Sequence, residues 1–283
     1  MTIVYLDMGV IVDAMRNRAE GLNAAINRAK DLGYTFVYSP AHMEEVANIV
    51  ADHEDKKVGA DYAMEHILYI RALTDDVEFL AGRNGIVVTR ESPENCLQRV
   101  IDGYELTLWA ADLERQQQSF RDDRSFKASF PDILQPDETG LMFRQIRERY
   151  GINSDKIKSL PPELVFCEKN ENILRALKDM AASSLGETQC FPRYEDIRHS
   201  HSDLFTTIDF VFRFLEKIGY YPEKINKHRS RMHDVSHAIY STASDIIVTG
   251  DINFRYKIRA VFSLLGVPSQ VLDQGGFAKL IIE

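Results

Sequence analysis

Two short apolar segments, one near each end of the chain, finish on an aspartate. The first is Thr2-Ile-Val-Tyr-Leu-Asp7, and the second, over 246–249, is followed by Gly250 and Asp251. Each pattern predicts a buried β-strand that leads into a helix. In open α/β sheets, ligands bind in the crevice outside the carboxyl ends of the strands. The two aspartates act on one ligand only if the fold brings the two chain ends together. This requirement constrains the fold more than any other feature of the sequence.

The segments around these two strands alternate between helix and strand patterns. After the first strand, the sequence predicts a helix over 10–31, a strand over 34–38 and a second helix that opens at Ser39-Pro40. Near the other end it predicts a helix, a strand, a helix, a short strand and a short helix, over 223–243, 246–249, 252–265, 267–272 and 277–282. Because β-α-β connections place strands in parallel, the two ends predict one parallel sheet covered by helices.

The middle of the chain has a different pattern, which is mainly helical. It predicts a helix over 58–73 and, over 77–80 and 85–89, either a hairpin around Arg83-Asn84-Gly85 or part of a loop. After these come a long helix from Ser92-Pro93 to about residue 120, a loop over 121–136, and helices near 137–150, 162–184 and 202–218. We therefore expect a discontinuous α/β core of residues 1–57 and 220–283, interrupted by a helical insertion over 58–219.

Composition limits the class of protein. The chain has 283 residues, of which 45% are hydrophobic and 27% are charged, and its net charge is −9. No apolar run approaches the roughly 20 residues needed to span a bilayer, and we expect no secretory signal and no membrane partner. The three cysteines, Cys96, Cys167 and Cys190, are too scattered for a disulfide framework or a zinc knuckle, so a reducing cytoplasm is expected. The negative charge argues against nucleic-acid binding over the whole surface, but not against a local basic groove.

Four acidic residues stand out by their predicted placement. Asp7 and Asp251 follow strands, Glu45 lies two turns into the helix after the second strand, and Asp234 lies on the helix before the 246–249 strand. Carboxylates that converge without partners repel one another, and a divalent cation removes that cost. Mg²⁺ and Mn²⁺ prefer oxygen ligands, and they activate water and neutralise charge on a leaving oxygen. We therefore predict that these four residues are both the metal ligands and the catalytic residues.

Each assignment has an alternative. Asp7 or Asp251 taken alone equally suits a helix N-cap. Glu44 competes with Glu45, which we choose for its spacing from Ser39-Pro40. His233 and His237 have the i, i+4 spacing of zinc ligands, but no third ligand is apparent. Basic residues near the predicted site suit either a solvated helix face or contacts to a nucleic-acid backbone: Lys227, Arg229, Arg231 and Arg255.

Four segments resemble, in this order, the motifs of PIN-domain nucleases. They are Val4-Tyr-Leu-Asp7-Met-Gly-Val, Val37-Tyr-Ser-Pro-Ala-His-Met-Glu-Glu45-Val, Asp234-Val-Ser-His-Ala-Ile-Tyr-Ser-Thr-Ala243 and Asp245-Ile-Ile-Val-Thr-Gly-Asp251-Ile-Asn-Phe254. The closing Val267-Pro-Ser-Gln-Val-Leu and Gly276-Phe-Ala-Lys-Leu-Ile also resemble the end of such domains. The resemblance covers roughly 55 residues at the start of the chain and 60 at its end.

This resemblance implies a three-layer α/β core with a central, mostly parallel sheet, to which the large helical insertion is added. It also implies an endoribonuclease that cleaves single-stranded or structured RNA with Mg²⁺ or Mn²⁺. Asp7 and Asp251 would bind the metal directly, and Glu45 and Asp234 would bind it through water or orient the attacking water. Thr249 and Asn253 would support the site by hydrogen bonds. A regulatory protein partner or a homo-oligomer stays open.

The sequence also departs from the family pattern, and two other classes compete. Gly9 stands where the family often has Asn or Ser, and the helical insertion is absent from a minimal PIN domain. Asp7-Met-Gly-Val-Ile-Val-Asp13 is similar to the opening of haloacid-dehalogenase-type phosphatases, but Gly9 replaces their proton-donating aspartate and Asp13 lies too far along the helix to substitute. The third class is a catalytically silent PIN-like scaffold. Four mutually repelling acids argue against it.

Overall fold

A computed structural model describes residues 1–103, 143–185, 191–222 and 228–282. The strands are β1 (Ile3–Leu6), β2 (Thr35–Val37), β3 (Val77–Gly82), β4 (Gly85–Arg90), β5 (Ile246–Val248) and β6 (Gln270–Leu272). The helices before residue 104 are α1 (Met8–Met15), α2 (Leu22–Asp31), α3 (Pro40–Asp52), α4 (Lys56–Thr74) and α5 (Pro93–Gly103). Those after residue 142 are α6 (Phe143–Tyr150), α7 (Ser154–Lys158), α8 (Glu171–Leu185), α9 (Tyr194–Ile197), α10 (His201–Ile218), α11 (His228–Ser241), α12 (Ile252–Leu265) and α13 (Gln274–Ile282).

The central sheet has four parallel strands in the order β2-β1-β5-β6. Strand β1 pairs with β2 on one side and with β5 on the other, with Tyr5 opposite Val37 and Ile247. The first strand of the chain therefore lies beside the strand that precedes Asp251. This confirms the predicted α/β class and the assembly of the sheet from both ends of the chain.

Helices cover both faces of the sheet because successive side chains of each strand point in opposite directions. Tyr5, Val37 and Ile247 belong to one buried cluster, whereas Val4 and Val248 belong to the other. Buried residues of the helical region contribute to both clusters. Phe212 and Leu215 of α10 join the first, and Ile67 and Ile70 of α4 join the second. The result is a three-layer core that the middle of the chain helps to build.

Of the two alternatives for 77–80 and 85–89, a hairpin or part of a loop, the structure has the hairpin, in which β3 and β4 pair in antiparallel fashion. It adjoins β2 through two backbone hydrogen bonds, from Tyr38 N to Val77 O at 3.1 Å and from Phe79 N to Tyr38 O at 2.7 Å. Arg99 of α5 also links β3 to the residue that follows β4, because its guanidinium contacts the carboxylates of Glu78 and Glu91.

Two helix predictions differ from the structure. The helix expected over 10–31 is two helices, α1 and α2, because Asn17 and Gly21 adopt positive φ angles of 51° and 75°, which end a right-handed helix. The segment over 162–184 begins with two 3₁₀ turns, Pro162–Leu164 and Glu168–Asn170, before α8 starts. The helix that starts at Pro93 is described as far as Gly103; its predicted continuation to residue 120 and the loop over 121–136 lie outside the described residues. No helix in the described ranges is long and apolar enough to cross a membrane.

Candidate active site

A pocket of about 730 Å³ opens where β1 and β5 end, and it contains all four acidic residues predicted from the sequence. These are Asp7, Glu45, Asp234 and Asp251. Asp13 of α1 also lines it, and its Oδ2 accepts a 2.8 Å hydrogen bond from Gln274. The remaining lining residues are Met8, Gly9, Val12, Arg18, Asn48, His233, His237, Gly250 and Gln274. The carboxyl edge of the parallel sheet therefore gathers acids from distant parts of the chain.

Thr249 joins the two strand-end aspartates. Its hydroxyl donates a 2.8 Å hydrogen bond to Asp7 Oδ2, although the two residues are 242 positions apart in sequence. The same hydroxyl oxygen accepts a 3.1 Å hydrogen bond from the backbone N–H of Asp251. Asp251 also caps α12, because its Oδ1 accepts a 3.0 Å hydrogen bond from the N–H of Phe254. Asp251 therefore caps α12 and lines the pocket at the same time.

His237 of α11 lies at the centre of the acidic group. Its Nε2 lies 2.6 Å from Glu45 Oε1 and 3.9 Å from Asp7 Oδ1, and its side chain is only 2% exposed. Glu44, the alternative to Glu45, instead contacts His233 at 3.6 Å and is not among the lining residues described. Adjacent helix residues point in directions about 100° apart, so only one of the two glutamates faces this edge. That residue is Glu45.

Three titratable groups determine the charge at this centre: the imidazole of His237 and the carboxylates of Glu45 and Asp7. Burial lowers the pKa of His237, but its hydrogen bond to Glu45 and the charges of Glu45 and Asp7 outweigh burial, so the pKa is raised above its ordinary value. Burial raises the pKa of Glu45, but the hydrogen bond and charge of His237 outweigh it, and the net pKa is lowered. The pKa of Asp7 is raised, chiefly by burial and further by Glu45. The raised pKa of His237 therefore favours its charged form beside these two carboxylates.

A buried chain of hydrogen bonds lies behind His237. His237 Nδ1 is 2.6 Å from the hydroxyl of Tyr5, which is 2.7 Å from Ser39 Oγ. Ser39 N–H donates to Nδ1 of His42, so the hydrogen of that ring is on Nε2, which donates to the carbonyl oxygen of Leu6 at 2.8 Å. Burial and the nearby charge of His237 lower the pKa of His42 to about 3, so this ring is neutral. The chain therefore links the start of α3 and the backbone of β1 to His237.

Asp234 is linked to the helical region through a buried lysine. Lys257 of α12 is fully buried, and its Nζ lies 3.8 Å from Asp234 Oδ2 and 3.1 Å from Glu216 Oε1. Glu216 belongs to α10, within the predicted insertion. The same ammonium lies 5.7 Å from the ring centroid of Phe212, also on α10. The helical region thus contributes directly to the electrostatic surroundings of the pocket.

The predicted substrate-binding residues are placed differently. Arg255 pairs with Asp273, and neither Arg255 nor Asn253 is among the lining residues described. Thr249 is buried beside Asp7. Arg229 and Arg231 belong to the first turn of α11, and Lys227 lies outside the described residues.

Sequence reasoning gave too little weight to the histidines and missed several residues. His233 and His237 do not face each other as a zinc pair: His237 contacts Glu45 and Tyr5, while His233 Nε2 is 3.1 Å from the Asn48 side chain. The i, i+4 spacing pointed to His237, but its partners in the converged group are Asp7 and Glu45, and His233 is not part of that group. Tyr5 and Lys257 had no such signal, because in the sequence each looks like an ordinary residue of a strand or helix.

The donor set suits a divalent cation. Asp7, Glu45 and His237 each offer one ligand atom, and these atoms lie within 4.8 Å of one another. Asp234 and Asp251 line the same pocket but do not belong to this group, whose two carboxylates supply oxygen ligands of the kind that Mg²⁺ and Mn²⁺ prefer. Comparisons of the chain with protein-family models, curated proteins and solved structures found no significant match.

We expect the contact between His237 and Glu45 to make stability depend on pH. A His237→Gln variant should be less stable by about 1.5–3 kcal/mol near pH 6, because it loses a charge-assisted hydrogen bond. A raised folded-state pKa of His237 gives stability that is present below its ordinary value of 6.5 and is lost as the pH rises through the raised value. A lowered pKa of Glu45 gives stability that is lost as the pH falls below its ordinary 4.5.

The measurement is the difference in the free energy of unfolding between wild type and His237→Gln from pH 4 to pH 9, in chelator. This difference in stability should be largest between pH 4.5 and pH 6.5, the ordinary pKa values of Glu45 and His237, and it should become smaller at higher pH. His66→Gln controls for the loss of a buried imidazole, since His66 is buried outside the pocket and bonds to the carbonyl of Tyr62. A difference for His237→Gln that stays flat across this range would contradict the charged pair.

Proposed function

We propose that this chain is a metal-dependent endoribonuclease that hydrolyses phosphodiester bonds of RNA with Mg²⁺ or Mn²⁺. The observation that carries the proposal is the gathering of Asp7, Glu45, Asp234 and Asp251 in one pocket at the carboxyl edge of the sheet. The resemblance of the segments around these residues to PIN-domain motifs adds to it. We also propose that the protein acts in the cytoplasm, as the scattered cysteines predict.

In this mechanism the protein holds the cation and positions the groups around it. Asp7 and Asp251 would hold the metal, with Asp7 oriented by Thr249 and Asp251 fixed at the start of α12. Glu45 and Asp234 complete the acidic set, and each faces a buried cation, His237 or Lys257. When bound, the metal ion activates a water molecule and neutralises charge on the phosphate. His237 beside Glu45 and Lys257 beside Asp234 offset part of the repulsion among the acids before the metal binds.

One assay tests this proposal against its two rivals. The wild-type protein is incubated with labelled RNA, with single-stranded DNA and with a phosphomonoester, each in Mn²⁺ and in chelator. We expect RNA to be cleaved in Mn²⁺ and to stay intact in chelator. Turnover of the phosphomonoester alone would favour a phosphatase with Asp7 as nucleophile. Inertness with every substrate would favour a PIN-like scaffold, and cleavage of DNA alone would make the enzyme a deoxyribonuclease.

A further inference from the structure

The acidic pocket contains one side chain that is always positively charged. Five carboxylates line it, those of Asp7, Asp13, Glu45, Asp234 and Asp251, and Arg18 is the only arginine or lysine among the lining residues that are described. Arg18 is exposed, and it forms no ion pair with any residue in the described ranges. Its guanidinium therefore borders the site with its hydrogen-bond donors available to a ligand.

The break between α1 and α2 brings Arg18 to this position. Asn17 turns the chain at a φ of 51°, and the N–H of Arg18 donates a 2.8 Å hydrogen bond to the carbonyl oxygen of Asp13. The side chain of Asn23 fixes the turn, because its amide donates to Ala14 O at 2.9 Å and to Asn17 Oδ1 at 3.2 Å. A continuous helix would have carried Arg18 away along the helix axis. The turn therefore holds the backbone of Arg18 beside the pocket before any ligand binds.

Arg16, two residues before Arg18, provides a comparison, because its side chain has a structural role. Arg16 forms a 2.7 Å ion pair with Glu65 of α4 and is not among the lining residues described. Arg18 has no such pair within the described part of the chain, although the pocket beside it is acidic. A guanidinium presents a planar set of donors that matches a phosphate group, and it is always charged. In a chain with a net charge of −9, a local cation of this kind matters more for holding a polyanion than it would on a basic surface.

We propose that Arg18 binds a backbone phosphate of the RNA strand next to the bond that is cleaved, an inference that rests on the proposed ribonuclease function. The carboxylates and their cation hold the reacting phosphate, and Arg18 holds a neighbouring one. The strand is thereby oriented across the pocket mouth. Arg18 is a positioning residue, and its loss weakens RNA binding without removing the reacting groups.

Binding of a fluorescently labelled single-stranded RNA oligonucleotide, measured by anisotropy in chelator, tests Arg18 apart from cleavage. Arg18→Ala should weaken binding by about 10-fold, as expected for the loss of a charge-assisted hydrogen bond. The slope of log affinity against log salt should fall by roughly 0.7, the value for one phosphate contact on a single strand. Arg18→Lys should retain most of the slope, because it keeps the charge. Arg16→Ala changes net charge equally and should bind like wild type.

In Mn²⁺, Arg18→Ala should raise KM for RNA by a similar factor and change kcat by less than about threefold, because it removes binding that ground state and transition state share. Equal binding by Arg18→Ala and wild type would overturn the inference, and so would equal weakening in Arg18→Ala and Arg16→Ala. If RNA binding depends on Arg18 but the wild-type protein does not cleave RNA, the phosphate-binding role of Arg18 would be supported and the nuclease function refuted. Thermal unfolding of each variant checks that the turn is intact.

Discussion

Asp7→Asn and Asp251→Asn should each lower RNA cleavage in Mn²⁺ by at least about 100-fold, the upper end of what losing even a supporting partner of a metal site costs. Both variants should remain folded. In Asp7→Asn, the oxygen of the new amide would still accept the hydrogen bond from Thr249, and at position 251 an asparagine is as good an N-cap as an aspartate. The loss would therefore come from the carboxylate charge and not from the structure around it.

Asp7→Asn should also change stability, and this change should be neutral or favourable although activity is lost. Burial and Glu45 raise the pKa of Asp7, so the ionised form is disfavoured in the folded state. Stability contributed by such a group is lost as the pH rises through the folded-state pKa, whereas an amide carries no such cost. In chelator at neutral pH, the Tm of Asp7→Asn should therefore equal or exceed that of wild type while activity is lost. Residues of an active site often lower the stability of the folded protein, because they are retained for activity.

Two neighbouring acids provide matched controls. Asp245 lies at the start of the same strand that precedes Asp251, where its carboxylate accepts a hydrogen bond from Ile3 N, and Asp245→Asn should cleave RNA like wild type. Glu44→Gln should also retain activity, whereas Glu45→Gln should lose it, because only Glu45 lines the pocket and contacts His237. Full activity in Asp7→Asn, or equal losses in Glu44→Gln and Glu45→Gln, would contradict the assigned site.

Lys257→Met should destabilise the fold by about 3–5 kcal/mol, the cost of removing one partner from a buried ion pair. Lys257 is fully buried, and Glu216, which it contacts at 3.1 Å, is 9% exposed. Without the ammonium, the carboxylate of Glu216 in the protein interior loses the cation that lies 3.1 Å from it. Urea or thermal unfolding measures the effect. A Lys257→Met variant as stable as wild type would show that this cation does not compensate Glu216.

The double variant Glu216→Leu/Lys257→Met separates stability from function. Replacing both members of a buried ion pair by apolar side chains is often neutral or stabilising, so the double variant should recover most of the lost stability. It would not restore the cation that lies 3.8 Å from Asp234. RNA cleavage should therefore stay below the wild-type rate in a protein of nearly normal stability. Recovery of both properties would indicate that Lys257 supports packing alone.

The sequence by itself predicted the sheet and the acids at its edge. The apolar strands and the aspartates after them are local features, so they can be read without knowing the fold. Parallel connections are restricted enough that two β-α-β ends imply one sheet, and the observed strand order agrees. The break between α1 and α2 could not be read in this way. Apolar spacing continues through it, and although Asn is a residue that can end a helix, only the fold shows that Asn17 does so, at a φ of 51°.

Tertiary structure alone decided which side chains surround the acids. His237, Tyr5, Lys257 and Arg18 come from different elements of the chain, and each has an ordinary structural role that fits its local pattern. Their place near the pocket depends on how helices of the middle and end of the chain pack on the sheet. The balance between burial and partner charge, which sets the pKa of Asp7 and of His237, exists only after that packing. The sequence therefore determined where the acids lie, and the fold decided which side chains surround them.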